Sequence, residues 1–215
     1  GQPVVAVEVH DNFRQLTDRS PQELLDRAPA ERLDGVEVRV LAPEDHLRLL
    51  TLHGLCHGLW RPLWLCDVAL VLERISLDPD AFDWELCTSG DPWRSAGVRC
   101  GLGLARELLG VDLEAAGVPR EWQDPPLPTW LVPATLRSWG TAKHYYHVRG
   151  PRELLGEPLA LLETARLMWA TPMEVTYRRE APWDDTPRLP HQVMDYLTRG
   201  FSLLAELPGR VAGRG

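Results

Sequence analysis

Two side chains that could do chemistry, Glu8 and His10, lie on the same face of a predicted β-strand. Residues 4–10 alternate valine with other residue types, which is typical of a strand with two different faces. Glu8 could bind a divalent metal ion or accept a proton from an attacking hydroxyl group. His10 could position a phosphate or orient a carboxylate, and Arg14, just past the strand, could contact the same ligand. An edge strand with one solvated face is the alternative, and this pattern alone favours it.

A second group is the histidine pair His53 and His57, which are four residues apart in the sequence. At this spacing the two side chains share one face of a helix and could bind one metal ion. Zinc proteases with this spacing have a glutamate directly after the first histidine, whereas Gly54 stands there in this chain. The proteolytic interpretation therefore lacks its general base. We favour a structural role, with both histidines hydrogen-bonded at a domain interface, and keep a zinc site as the alternative.

Asp67 is a carboxylate within an otherwise apolar predicted helix, in the run Trp64-Leu65-Cys66-Asp67-Val68-Ala69. A buried charge without a partner is costly, so we expect a partner for it. A histidine of the preceding helix can reach Asp67 across the short Arg61-Pro62 turn. Such a pair would fix the helical hairpin and could also support a site.

The elements that position these residues are mainly helices. The apolar periodicity, the capping residues and the prolines predict them at residues 21–28, 43–60, 63–73, 91–109, 134–148, 151–169 and 190–207. A helical turn is expected around Trp84, a second strand at residues 36–40, an ordered linker at 119–133 and a polar loop at 176–187. Gly97, Gly101 and Gly103 lie inside one predicted helix, which indicates close approach of another helix.

The composition excludes several classes of protein. The formal net charge is -8, and Lys143 is the single lysine. Such a chain is a poor general binder of nucleic acid or anionic membrane, because neutralising phosphates requires clustered lysine and arginine. A nucleotide ligand remains compatible, since one local arginine or a metal ion can bind a phosphate. No signal peptide and no apolar stretch of about 18 residues is found, so the sequence predicts a cytoplasmic protein.

The four cysteines, Cys56, Cys66, Cys87 and Cys100, all lie in apolar or amphipathic segments. None forms a Cys-X-X-Cys pair. Buried free thiols are therefore favoured over disulfides.

Several of these segments, taken in order, resemble a known family. They are Val7-Glu8-Val9-His10, residues 35–45, Leu52-His53 with His57-Gly58, and residues 63–69. This ordered set resembles the uncharacterised nucleotidyltransferase family of bacteria, which belongs to the polymerase-beta-like nucleotidyltransferase superfamily. The resemblance covers roughly residues 4–112.

The resemblance implies transfer of a nucleoside monophosphate from a nucleoside triphosphate to an acceptor, often a hydroxyl group. In such enzymes three carboxylates on neighbouring strands hold two magnesium ions, which offset the charge of the triphosphate. Glu8 matches the third carboxylate, which makes it both a metal ligand and the catalytic base. His10 and Arg14 would then contact the substrate, and His53, His57 and Asp67 would support the site.

One part of the family pattern is not found. The Gly-Ser turn and the paired acidic residues should precede Glu8, and no downstream segment replaces them: Ser89-Gly90 is not followed by a strand with paired acids, and Asp184-Asp185 lies in a proline-flanked loop. One of three expected carboxylates is thus present. We therefore expect the chain to be the C-terminal portion of an enzyme, inactive alone.

The sequence thus predicts an α+β fold that is mainly α. We expect a partial nucleotidyltransferase α/β core at residues 1–42, a helical domain at 43–112 and a helical extension at 113–215. The expected ligands are a nucleoside triphosphate, Mg²⁺ and an unknown acceptor. A protein partner is also compatible with the sequence. The alternatives are a non-catalytic helical interaction module and, with less support, a metal-binding protein using His53 and His57.

Overall fold

The computed structural model describes residues 13–124, 126–140 and 169–212, with side chains as far as residue 200. This part of the chain is mainly helical and contains one two-stranded antiparallel sheet, so the predicted fold class is confirmed. The predicted strand at residues 4–10, residues 141–148 of the predicted helix at 134–148 and most of the predicted helix at 151–169 lie outside the described residues. The division into three domains stays a prediction.

The described elements follow in chain order. Two short 3-10 helices span Arg14–Leu16 and Pro79–Ala81. The strands are β1 (Ala30–Leu33) and β2 (Val36–Arg39). The α-helices are α1 (Pro21–Arg27), α2 (Pro43–Cys56), α3 (Pro62–Ile75), α4 (Trp84–Thr88), α5 (Pro92–Leu109), α6 (Arg120–Gln123), α7 (Leu131–Trp139), α8 (Pro172–Arg178) and α9 (Leu189–Ala212). None of these helices is both long enough and apolar enough to cross a membrane.

The sheet is a hairpin in which Leu33 pairs with Val36 next to a two-residue turn. Asp34 and Gly35 both have positive φ, 49° and 84°, as a turn that matches the twist of the two strands requires. The prediction of β2 is confirmed. Strand β1 was not predicted, because its four residues show no alternation of apolar and polar side chains; all four are exposed.

Helices α2, α3 and α5 pack against one another and form the centre of the protein. Their apolar faces meet in a core that includes Leu47, Leu52, Leu72 and Leu102, each with no exposed surface. The expected close approach at the α5 glycines is confirmed at Gly101, where an added Cβ atom would overlap Cγ2 of Thr51 on α2.

The segment before α2 is attached to α2 by buried ion pairs. Arg19 and Arg27 both donate hydrogen bonds to Asp45, whose side chain is fully buried. Arg48, also fully buried, donates to Asp18 Oδ2 at 2.6 Å and to the Cys87 carbonyl oxygen at 2.9 Å. These contacts fix the position of the first 3-10 helix, and thus of Arg14, relative to α2.

Two sequence expectations about the second half of the chain were wrong. Helix α7 begins at Leu131, inside the stretch predicted as a linker, and α8 extends to Arg178, inside the predicted polar loop. Helix α8 has the capping box that the sequence analysis overlooked: Thr171 Oγ1 accepts from the Glu174 amide at 3.2 Å, and the Thr171 amide donates to Glu174 Oε2 at 2.6 Å. Burial of Met173 and Val175 in the core adds to its stability.

All four cysteines are free, as predicted; Cys87 and Cys100 are buried, and Cys56 and Cys66 are half-buried. We expect Cys87 and Cys100 to resist alkylation in the native protein. Burial raises the pKa of each thiol from 9.0 to about 12. Because the thiolate is the reactive form, each should react roughly a thousandfold more slowly than an ordinary thiol near neutral pH.

Brief treatment with iodoacetamide followed by peptide mass spectrometry tests this expectation. Both thiols should stay unlabelled in the native protein and become labelled in guanidinium chloride. The half-buried Cys66 serves as the internal reference. Labelling of Cys87 as fast as Cys66 in the native protein would show that the core around α4 is open.

Candidate functional site

The described candidate site lies at the carboxyl end of α2, where the helix ends at Cys56. The following residues turn sharply: Gly58 and Leu59 have positive φ values of 72° and 48°. The turn is closed by a hydrogen bond from the Leu59 amide to the Gly54 carbonyl oxygen at 2.8 Å. It places His57 directly after the last helical residue and beside His53.

Three side chains meet at this end of the helix. One ligand atom from each of His53, Cys56 and His57 lies within 4.8 Å of the other two. The imidazole rings have their centroids 4.6 Å apart and are tilted by 54°. His53 and Cys56 are half-buried and His57 is exposed, so the group is accessible from the surface. The histidine pair was identified in the sequence, but Cys56 was missed as its third member.

The signal for Cys56 was present in the sequence. In a helix, residues three and four positions apart lie on the same face. Cys56 and His57 are three and four residues after His53, so this rule places them on the same face as His53. The apolar neighbours of Cys56 predicted a buried thiol instead. The structure brings its sulfur atom to the same surface as the two imidazole rings.

Two further elements contribute to the surroundings of Cys56. Gln15, in the first 3-10 helix, places Nε2 3.4 Å from the Cys56 sulfur atom. Burial raises the pKa of the Cys56 thiol, a hydrogen bond from Gln15 lowers it, and the charge of Glu174 on α8 raises it further. The positive charges of Arg14 and Arg178 act in the opposite direction. Groups from the N-terminal segment and from α8 thus converge on this end of α2.

Arg14 is the one predicted substrate-binding residue within the described part of the chain. Its side chain is exposed, and within that part it makes no hydrogen bond or ion pair. The burial of Leu16 fixes the short helix that carries it. Arg14 is also close enough to affect the Cys56 thiol electrostatically. Glu8 and His10 lie outside the described residues, so their predicted roles stay predictions.

Asp67 does not form the predicted pair with a histidine of α2. Within the described residues, its half-buried carboxylate makes neither a hydrogen bond nor an ion pair with His53 or His57. Trp64, one turn earlier on α3, occupies the space beside the two imidazoles. Its ring centroid lies 5.3 Å from that of His53 and 5.5 Å from that of His57. The contact between α2 and α3 at this point is therefore aromatic.

Comparison with known proteins identifies the family. The family model described as "Uncharacterised nucleotidyltransferase" matches residues 2–110, which is just over half of the chain. The match includes the segment with Glu8, His10 and Arg14, and it extends through α2 and α3 to the end of α5. No curated protein matches the chain, and no solved structure matches it. The chain belongs to the uncharacterised nucleotidyltransferase family.

Proposed function

We propose that this protein transfers a nucleoside monophosphate from a nucleoside triphosphate to the hydroxyl group of an acceptor. The observation that supports the proposal is the family match over residues 2–110, which contains every predicted substrate-contacting residue. In the reaction the acceptor oxygen forms a bond to the α-phosphorus. The bond from that phosphorus to the bridging oxygen breaks, and pyrophosphate leaves.

Glu8 has the role of base in this proposal. A carboxylate that takes the proton of the acceptor hydroxyl makes its oxygen a better nucleophile. The same carboxylate is the oxygen ligand that Mg²⁺ prefers, and a bound Mg²⁺ would offset the charge of the triphosphate. The group formed by His53, Cys56 and His57 does not suit Mg²⁺, because its ligand atoms are nitrogen and sulfur. We therefore assign no role in holding Mg²⁺ to that group.

Arg14 has the role of a phosphate-binding residue. Its guanidinium group is exposed, and a guanidinium can donate two parallel hydrogen bonds to phosphate oxygens. The ion pairs of Arg19 and Arg27 with Asp45 hold the segment in place. Arg14 is thus attached to a fixed part of the structure, which reduces the entropy lost when it binds a phosphate.

The proposal can be tested with thermal unfolding of the full-length gene product in Mg²⁺ and each of the four nucleoside triphosphates. A nucleotide present at a hundredfold excess over its Kd should stabilise the protein by about 2.7 kcal/mol. Arg14→Gln should weaken nucleotide binding by roughly tenfold, the effect of losing one hydrogen bond to a charged group. Glu8→Gln should abolish pyrophosphate release while leaving the fold intact.

Arg120→Gln is the matched control, because Arg120 is exposed at the start of α6 and outside the family match. It should leave the nucleotide-dependent shift unchanged. If no triphosphate shifts the unfolding temperature and Glu8→Gln changes nothing, nucleotide transfer is wrong. A non-catalytic helical interaction module would then be the better interpretation.

A further inference from the structure

We propose that His53, Cys56 and His57 bind one transition-metal ion, with Zn²⁺ as the preferred ion, at the carboxyl end of α2. This proposal uses none of the predicted nucleotide-binding residues, and it does not depend on nucleotide transfer. It uses one side chain from the last turn of the helix, one from its final residue and one from the residue that follows.

The geometry suits a tetrahedral ion. Bonds of about 2.0 Å to histidine nitrogen and 2.3 Å to cysteine sulfur place neighbouring ligand atoms roughly 3.3–3.6 Å apart. The three ligand atoms already lie within 4.8 Å of one another. The remaining difference of about 1 Å is within the reach of side-chain rotation, without movement of the helix.

The types of ligand atom decide which ion is preferred. Two imidazole nitrogens and one thiolate favour Zn²⁺, Co²⁺ and related ions over Mg²⁺ and Ca²⁺, which prefer oxygen. On binding, a metal–sulfur bond forms and the Cys56 thiol releases its proton to solvent. Three protein ligands leave the fourth position of a tetrahedral ion to water or another ligand.

Described residues of two other elements contact the three ligands. The indole of Trp64 contacts both imidazole rings, and Gln15 Nε2 donates a hydrogen bond to the Cys56 sulfur atom at 3.4 Å. His57 is exposed, so an ion can enter from its side. The carboxylate of Glu174 lies near enough to act on Cys56 electrostatically and would favour a bound cation, whereas Arg14 and Arg178 would oppose it. Helix α2 positions His53 and Cys56, and the turn at Gly58 and Leu59 positions His57 beside them.

Replacement of bound metal by Co²⁺ gives a direct spectroscopic test. The purified full-length protein is stripped of metal with a chelator, reduced, and titrated with Co²⁺ and then with Zn²⁺. We expect one ion per chain and a near-ultraviolet charge-transfer band from a cobalt–thiolate bond. Zn²⁺ should displace Co²⁺ and protect Cys56 from alkylation.

Substitutions test whether these three side chains, and not other histidines or cysteines, bind the metal ion. Cys56→Ser should abolish the charge-transfer band, and His53→Gln or His57→Gln should each lower Zn²⁺ affinity at least tenfold. His46→Gln, an exposed histidine of the same helix, and Cys66→Ser, another half-buried cysteine, are the matched controls and should leave binding unchanged. An unchanged thermal unfolding midpoint of the metal-free variants shows that the fold is kept.

Two outcomes would overturn the site. One is a stoichiometry far below one ion per chain with no cobalt–thiolate band. The other is equal Zn²⁺ affinity for the unsubstituted protein and Cys56→Ser. Neither outcome involves a nucleotide, so neither bears on the proposed transfer reaction. Conversely, a protein that binds no nucleotide but gives the cobalt band would retain this site.

Discussion

Replacement of Asp45 by asparagine should lower the free energy of unfolding by about 3–5 kcal/mol, the cost of removing one partner from a buried ion pair. Asp45 is fully buried and accepts hydrogen bonds from Arg19 and Arg27. The Arg19 side chain is only 6% exposed, so its charge cannot regain water when the carboxylate is lost. The neutral amide would leave a buried cation without its counter-charge.

The measurement is urea unfolding followed by circular dichroism. Asp124→Asn is the matched control, because Asp124 pairs with Arg106 but is 91% exposed. That pair should contribute less than about 1 kcal/mol, since water and salt screen exposed charges. If Asp45→Asn is as mild as Asp124→Asn, the ion pairs of Asp45 do not stabilise the attachment of the segment before α2, and the Arg48–Asp18 pair and the apolar contacts hold it.

Gly101→Ala should destabilise the protein by about 1–3 kcal/mol, although alanine is the better helix former. The added methyl group would overlap Cγ2 of Thr51, a residue that is 2% exposed. Thr51 cannot readily turn away, because its hydroxyl donates to the Leu47 carbonyl oxygen at 2.7 Å. Helices α2 and α5 would therefore have to move apart, which opens the core between them.

A second substitution identifies the cause. Thr51→Ser removes Cγ2 and keeps the hydroxyl group, so it should recover much of the stability lost in Gly101→Ala. The interaction free energy from this double-mutant cycle should be clearly different from zero. Gly200→Ala is the control within another helix, because no atom of the described residues lies within 4 Å of the position of an added Cβ. It should gain about 1 kcal/mol; a gain of the same size at Gly101 would contradict the close packing.

The sequence predicted those elements whose signals are local. Pro43, Pro62 and Pro92 each stand at the start of a helix, where proline is favoured, and all three helices are found. The Asp34-Gly35 dipeptide is likewise a local turn signal, and it forms the hairpin loop. Strand β1 was missed because its sequence shows no alternation of apolar and polar residues. It is a strand because its backbone pairs with β2, and that pairing leaves no signal in the sequence of β1 itself.

The site was predictable where it depends on spacing within one helix. His53 and His57 are together as expected. Contacts between distant segments left no comparable signal: Arg19 meets Asp45 across 26 residues, and Gln15 meets Cys56 across 41. Asp67 was predicted to pair with a histidine because it is the charged residue in an apolar helix. The face of α3 that contacts the histidines carries Trp64 instead.

The contacts of α8 bear on how far the protein can be shortened. The family match ends at residue 110, but α8 packs against α2, and Met173 is fully buried in the shared core. A fragment that stopped at residue 110 would expose apolar surface on α2 and remove Glu174 and Arg178 from the surroundings of Cys56. The smallest fragment that preserves the carboxyl end of α2 is therefore longer than the region that the family model matches. A comparison of relatives confined to that region would overlook side chains that act on it.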